Sequence, residues 1–550
     1  VTGLDARTTI ARAVRLGWAA CVVCGLACGP GPVAPPAAAK PEPGPAAPAD
    51  EPSGVVVTVT PHEGGVRVVY ELPAATDRLA LVRSDALRRD EWQVVTAGVR
   101  LVDDALVSEA PRTSFEVAIA PDKVEVDRKY PSLHRVGRGV ALYGPALRVE
   151  GVDARVVLRP AAGGVAIPEQ GAERGYAWLG PADAVIQGQG FRMVAAESVG
   201  PRLVEVVRGE AEVALGYYAR KLERPGRAPA ILVSLQDTMT GEYRGDASES
   251  DVISLRFFDP RWNDPEPGDA GMLAKFVRHE AFHLWNGETA PGTPPWLHEG
   301  GAEYAALVAA VDAGALTHEQ GIEQVSSHLD RCRTALGARS LAAAELSGPQ
   351  IYWCGVALQW IADTEARGAS QGQRDVFSIW RDLLRRGEAG GYSLADLRAV
   401  TGPVVAAILD DQAPERWQRL AEALAPHGAT IVDAVDEHGW RTAAVQHLLA
   451  QHCKDGEYGF YVEADHVRLD TTGDCGPIGG NPEIVRVAGA SIMKAPRDAF
   501  DGVRKACAAK NSVTLETRGG AKLRVKCTEP PAQPVRWKVA AAPPLSRAQR

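Results

Sequence analysis

The chain has 550 residues, 45% apolar and 23% charged, an ordinary globular composition whose length suggests about three or four domains. Sixty basic against 69 acidic side chains leave a formal net charge of −9. With no concentrated Lys/Arg stripe, this argues against nucleic-acid binding, because an acidic surface repels phosphate backbones. No apolar run reaches the roughly 18–20 residues that cross a bilayer, which excludes a multi-pass helical membrane protein.

Arg7, Arg12 and Arg15 precede an apolar stretch, Leu16–Ala27. A positive start, a short apolar run and small residues before a cut describe a secretory signal. Cys28, at the cut, resembles the lipid-acceptor cysteine of a bacterial lipoprotein, although Gly25 stands where leucine is usual. That resemblance implies diacylation of Cys28 and membrane attachment through it. With Gly29 rather than Asp next, it also implies an outer-membrane protein facing the periplasm or displayed at the cell surface. Residues 29–53 hold nine prolines among Ala and Gly, so they read as a semi-rigid tether.

From 54 to 195 the chain reads as a β-rich domain of short alternating runs, such as Val55–Val59, Val66–Tyr70 and Ala154–Leu158, punctuated by Gly and Pro. Strands at that spacing suggest an antiparallel sandwich or saddle, and none of its residues carries chemistry. A helix over 202–222 and strands at Ala230–Leu235 and Val252–Phe257 follow. Ala, Leu and Trp at three- and four-residue intervals then predict helices from about 270 to 450. Residues 453–527 turn β-rich again around one helix near Asp498–Ala508, and the last 22 residues, with five prolines, read as a loose disordered tail.

Past the signal, six cysteines remain, at 332, 354, 453, 475, 507 and 527, without CxxC spacing. In an oxidising compartment they allow three bridges in fifteen connectivities. Pairing sequence neighbours is the simplest, each bridge closing a loop of about 20 residues worth roughly 3 kcal/mol.

The chemistry lies in His279-Glu280-Ala281-Phe282-His283. Met272, Leu273, Phe276, Val277 and Leu284 form one helical stripe, and His279, Glu280 and His283 fall on or beside it, with Gly287 as the C-cap. Three titratable groups on a core-facing surface are costly unless compensated. A divalent zinc does so: imidazoles at i and i+4 point at one ion, and the glutamate between them faces its open position. Thr293-Pro294-Pro295 then starts a second helix, Trp296-Leu297-His298-Glu299-Gly300-Gly301-Ala302-Glu303-Tyr304, which brings a carboxylate as third ligand, Glu299 or Glu303.

The string WLHEGGAEY resembles the WLNEGFARY-type segment of the aminopeptidase N family, and HEAFHLWN resembles the HEFFHLWN-type helix of the glycyl aminopeptidase family. Both are gluzincins. The resemblance implies a thermolysin-like α/β zinc peptidase domain (196–315) behind an N-terminal β-rich domain, and the helical periodicity that continues past it reads as a helical domain (316–450). It implies zinc on His279, His283 and Glu299, with Glu280 as the base. Ile351-Tyr352-Trp353-Cys354-Gly355-Val356-Ala357-Leu358 resembles the families' Tyr-x-Lys-Gly-Ala-Leu helix start, so Tyr352 would steady the oxyanion. Ile484–Ile492, the helix containing Asp498 and Val513–Gly520 resemble the second half of a PDZ domain, which implies a PDZ-like domain over 451–528.

The departures bear on specificity. Fifteen residues separate His283 from Glu299, fewer than in either family. His298 stands where the aminopeptidase N family has Asn, and Cys354 where those families have Lys. Neither GxMEN nor GGLEH precedes the metal helix. In their place lies Gly241–Asp251, where Glu242, Asp246 or Glu249 offers a carboxylate to a substrate amine, or the segment is a solvated acidic turn. The expectation is an exported zinc metallopeptidase acting on peptides or proteins. The alternative is a scaffolding or peptide-binding lipoprotein that kept the fold without turnover.

Overall fold

In the computed structural model the Val-rich alternation near the start becomes the first β layer. The structure describes residues 54–545 except 84–87, 89–90, 122–129, 227, 237–242, 249–250, 267–268, 454–457, 464 and 472–473. Both the segment read as a signal ending in Cys28 and the tether 29–53 therefore lie outside the described residues. Strand Val55–His62 pairs antiparallel with Gly65–Ala80 through a two-residue turn at Glu63-Gly64. Both turn residues have positive φ, 44° and 81°, as a hairpin turn matched to strand twist requires. Val55, Val57 and Val59 all point inward onto Val66, Val68, Tyr70, Phe115 and Val117. Gly65–Ala80 also pairs with the long strand Ala105–Ile119, and Val55–His62 with the parallel strand Ala154–Leu158.

A second, four-stranded sheet holds Leu133–Val136, Gly139–Tyr143, Tyr176–Pro181 and Gly164–Ile167 in that order. It is buried on both faces. Leu133, Val140, Leu142 and Leu179 join the first sheet's core, while Val136, Tyr176 and Trp178 pack on Val194, Leu232 and Val252 of the next layer.

That next layer is a five-stranded sheet ordered Ile186–Gln187, Arg192–Ala195, Ala230–Leu235, Val252–Phe257, Tyr243–Ser248. Ala230–Leu235 and Val252–Phe257 lie parallel and are buried at every position, as strands covered on both faces are. Tyr243–Ser248 pairs antiparallel with Val252–Phe257 and is the edge. This corrects the expectation of a solvated acidic turn: Asp246 lies within a strand, while Glu242 and Glu249 lie outside the described residues.

Helices α1 (Pro201–Leu222) and α2 (Ala270–Asn286) join this sheet in one core, followed by α3 (Pro295–Asp312), α4 (His318–Leu336) and α5 (Pro349–Ala369). Proline opens α1, α3 and α5, where its missing N–H is no loss. A Thr317/Gln320 capping box starts α4. Shorter helices α6 (Val376–Arg386), α7 (Leu394–Val400), α8 (Pro403–Asp410) and α9 (Arg416–Leu424) complete the helical segment. Among the described residues no helix is long and apolar enough to cross a membrane.

Helix α10 (Glu437–His452) leads into the C-terminal module, a sheet ordered Tyr458–Val462, Val467–Thr471, Glu483–Val487, Ser512–Thr517, Lys522–Lys526, with α11 (Pro496–Ala508) packed through Phe500 and Val503. The three disulfides among the described residues join sequence neighbours: Cys332–Cys354 links α4 to α5, and Cys453–Cys475 and Cys507–Cys527 lie in the C-terminal module. The architecture is mixed α/β and multidomain, with β-rich layers and a helical segment.

Residues 529–545, read as part of a loose tail, are packed instead. Arg536–Ala541 pairs antiparallel with strand Thr430–Ala434 and runs along α4, where the Trp537 and Val539 N–H groups donate to Asp330 and Ser326. Buried Arg536 binds Asp436 at 2.5 Å and Glu323 at 2.9 Å, and Leu545 is 1% exposed. The prolines mask a short Trp-Lys-Val alternation whose partner strand lies about a hundred residues earlier.

Candidate active site

His279 and His283 stand one turn apart on the buried half of α2, their Nε2 atoms 3.1 Å from each other. Their Nδ1 atoms are already used. His279 Nδ1 donates to Glu303 Oε2 at 3.1 Å, and His283 Nδ1 donates to Asn286 Oδ1 at 2.9 Å. The Asn286 amide is oriented by its own Nδ2, which donates to the His298 carbonyl. With protons on both Nδ1 atoms, both Nε2 atoms present lone pairs to the same point.

A carboxylate closes on that point from α3. Glu299 Oε2 lies 3.3 Å from His279 Nε2 and 3.6 Å from His283 Nε2. Electron-rich groups converging in this way on one buried point are stabilised by positive charge placed among them. Ligands held about 2.0–2.1 Å from a tetrahedral zinc stand about 3.3 Å apart, so the donor set and its spacing fit such an ion. The field at the cluster favours a cation as well. Burial alone would lower the His279 pKa from 6.5, but Glu299, Glu303 and Glu280 outweigh it and push it up to about 10. Burial would raise Glu299, and the two histidines hold it well below the usual carboxylate range instead.

Glu303, the rival carboxylate, meets the other nitrogen of His279 and is bound by Lys275 Nζ at 2.6 Å. It belongs to a Lys275–Glu303–His279 chain that fixes the ring and its tautomer, the usual partner of a metal-binding imidazole. His298 stacks on His283 with ring centroids 4.3 Å apart, and its Nδ1 donates to the Asn286 carbonyl, so it braces the site. Asn286 and Lys275 are the residues that sequence reasoning missed. Their one signal is position, three residues after His283 and four before His279.

Glu280 is buried at 6% exposure. Burial raises its pKa, the histidines lower it, and the balance is about 7, a value suited to taking and returning a proton near neutrality. The edge strand comes up against it: a Cβ on Gly245 would lie 2.0 Å from Glu280 Oε1. Asp246 hydrogen-bonds Tyr130 and lies near Arg256, and both interactions occupy its carboxylate. Tyr352, on α5, has its ring 6.0 Å from that of His279 and its hydroxyl bonded to Glu299. His279, Glu280, Glu303 and Tyr352 share the wall of one cleft of about 520 Å³. All five residues expected at the site thus come together.

No protein-family model and no curated protein sequence matches the chain. Solved structures do. The fold is similar to that of an aminopeptidase N family protein. The crystal structure of that protein, from Idiomarina loihiensis, aligns over 89% of this chain and 98% of its own, with 12% identity and a TM-score of 0.54. Legionella pneumophila aminopeptidase A in complex with aspartic acid aligns over 79% of this chain and 53% of its own, with 9% identity and a TM-score of 0.41. At this identity the likeness to the Idiomarina loihiensis protein is one of fold, a multidomain mixed α/β architecture.

Proposed function

We propose that the protein is a zinc-dependent peptidase of gluzincin type. The observation that carries this reading is the convergence of His279 Nε2, His283 Nε2 and Glu299 Oε2 on one point, within 3.1–3.6 Å of one another, beside the buried carboxylate of Glu280. These three atoms would hold the ion, and zinc, when bound, supplies Lewis acidity toward water and a carbonyl oxygen.

The chain's own groups do the rest. Among the described residues Tyr243–Ser248 is paired on one side only, so an extended peptide laid along its other edge forms the next strand, and Gly245 brings that strand against Glu280. Glu280 accepts the proton of the attacking water and hands it to the leaving amine. Tyr352 donates its hydroxyl to the developing oxyanion, a contact whose loss typically costs about 3 kcal/mol. Lys275, Glu303 and Asn286 hold the imidazoles in the tautomer this requires.

The same proposal places the protein outside the cytoplasm, anchored through lipidated Cys28. Three disulfides support an oxidising compartment. Metal analysis and digestion of a peptide library by purified protein test the activity. The reading stands on about one zinc per chain with zinc-dependent cleavage, and fails if zinc-loaded protein cuts no peptide. Cys28→Ser should release the protein from membranes; wild-type protein found wholly in the soluble fraction refutes the anchor.

A further inference from the structure

The cleft has a wall that does not belong to the catalytic layers. Tyr461, on strand Tyr458–Val462 of the C-terminal module, lines the same cavity as His279, Glu280 and Tyr352. Burial first, and then the Glu303 and Glu463 carboxylates, raise the pKa of the Tyr243 hydroxyl on the edge strand. Tyr461 is 46% exposed, yet it is backed. The Arg468 guanidinium lies 4.4 Å from its ring centre, and Arg468 is itself buried and 3.8 Å from Glu463. A half-exposed ring with a guanidinium against it is a low-entropy contact surface.

The module is also fixed in place. Its entry at Asp436, the N-cap of α10, and its exit at Arg536 are joined to each other, and Arg536 binds Glu323 of α4 as well. The wall therefore keeps its position relative to the helices that carry the site.

The cleft's composition says what this wall meets. Five of its lining residues are aromatic, Tyr130, Tyr243, Phe276, Tyr352 and Tyr461, in a chain only 6% aromatic. Three cations, Arg244, Arg256 and Lys275, line it against two carboxylates, Glu280 and Glu303, so the balance of charge does not recruit a lysine or arginine side chain. Each of them already has a partner: Arg244 lies over Phe258, Arg256 over Tyr130 and Tyr176, and Lys275 on Glu303. They are not free to recruit an acidic side chain.

Resting on the peptidase reading above, we infer that the C-terminal module completes the substrate site and that Tyr461 selects peptides with an aromatic side chain beside the scissile bond. Specificity then comes from a module outside the metal-binding helices. Aromatic peptides are preferred over lysine or arginine peptides.

The test uses full-length protein carrying Glu280→Gln, loaded with zinc, and one fluorescent peptide scaffold with Phe, Ala, Glu or Lys at each position in turn. The Phe peptide should bind about five- to tenfold tighter than the Ala peptide, as one well-placed ring pair allows, and the Lys peptide weakest. Tyr461→Ala should erase the Phe-over-Ala ratio and Tyr461→Phe should keep it. Zinc content and melting temperature should stay unchanged, since the side chain is half exposed. An unchanged ratio in Tyr461→Ala, or tightest binding by the Glu or Lys peptide, overturns the inference. The two readings separate in parallel digests: Tyr461-dependent binding without wild-type cleavage sinks the peptidase, and cleavage indifferent to Tyr461 sinks only this inference.

Discussion

Gly300 on α3 and Gly355 on α5 approach so closely that a Cβ on Gly300 would lie 2.1 Å from the Gly355 Cα. The two helices meet backbone to backbone, and two residues of the proposed site stand beside the contact: Glu299 precedes Gly300, and Tyr352 sits one turn before Gly355. Gly355→Ala should therefore cost about 1–3 kcal/mol from overpacking and lower kcat by separating the tyrosine from the site. Gly209→Ala on α1, where a Cβ meets nothing within 4 Å, is the control and should stabilise by up to about 1 kcal/mol. Thermal melting and steady-state kinetics read both. An unshifted melting temperature in Gly355→Ala would show that the helices yield freely.

Base and ligands should separate in a metal assay. Glu280→Gln should abolish hydrolysis with zinc near wild type, because the nearest atoms to the ion point are His279, His283 and Glu299. His283→Ala and Glu299→Ala should lose most of the metal. Glu303→Ala should keep most of it while weakening affinity about 10- to 100-fold, the usual effect of removing a partner of a ligand. Zinc loss in Glu303→Ala equal to that in Glu299→Ala would make Glu303 the ligand.

The local parts of this site are legible in the sequence because helical spacing alone places His279, Glu280 and His283 on one face. The bridges are legible for a similar reason, since each closes a short loop. Other parts depend on tertiary neighbours. Tyr243-Arg244-Gly245-Asp246-Ala247-Ser248 has no apolar alternation, and its strand exists because Val252–Phe257 offers an open edge. Glu303 is visible as a second carboxylate, but its role turns on which nitrogen of His279 it meets. The WLHEGGAEY string displays Gly300 without showing that another helix backbone lies against it.

Stability should fall in mild acid through His134. This ring is 2% exposed, with neither nitrogen hydrogen-bonded. Burial, and then the nearby Arg256 cation, lower its pKa from 6.5 to about 3. Folded protein thus keeps it neutral where the unfolded chain takes up a proton. Its contribution is complete above about pH 6.5 and is lost as pH falls from there toward 3, by about 2 kcal/mol at pH 5. His134→Phe should narrow the gap in melting temperature between pH 7 and pH 5. A gap equal to wild type would mean that His134 is not held neutral.

Removing the chain after Thr528 should destabilise the protein, as loss of a disordered tail would not. Such a truncation deletes strand Arg536–Ala541, exposes part of α4 and leaves Asp436 and Glu323 without Arg536. Arg536→Ala alone should cost about 1–3 kcal/mol, less than a fully buried pair because both carboxylates are partly exposed. Chemical denaturation measures both changes. A truncated chain that unfolds at the wild-type midpoint would restore the tail as dispensable.

Cross-linking should bear on catalysis through Cys332–Cys354. The bridge ties α4 to α5 two residues beyond Tyr352 and closes a separation of 22 residues, worth about 3 kcal/mol of stability. Cys354 and its surroundings are buried, so the bond fixes the very turn that presents the tyrosine hydroxyl. Cys332→Ser should lower kcat more than it raises KM, because the oxyanion contact is made mainly in the transition state. Zinc should stay bound, since no cysteine is among the three ligands. The Glu280→Gln background, assayed for peptide binding with and without the bridge, isolates the ground-state part and should show little change. Equal losses in kcat and in binding would assign the bridge to general stability, and a free Cys354 thiol after oxidative folding, found by alkylation and peptide mass, would remove it from the mechanism.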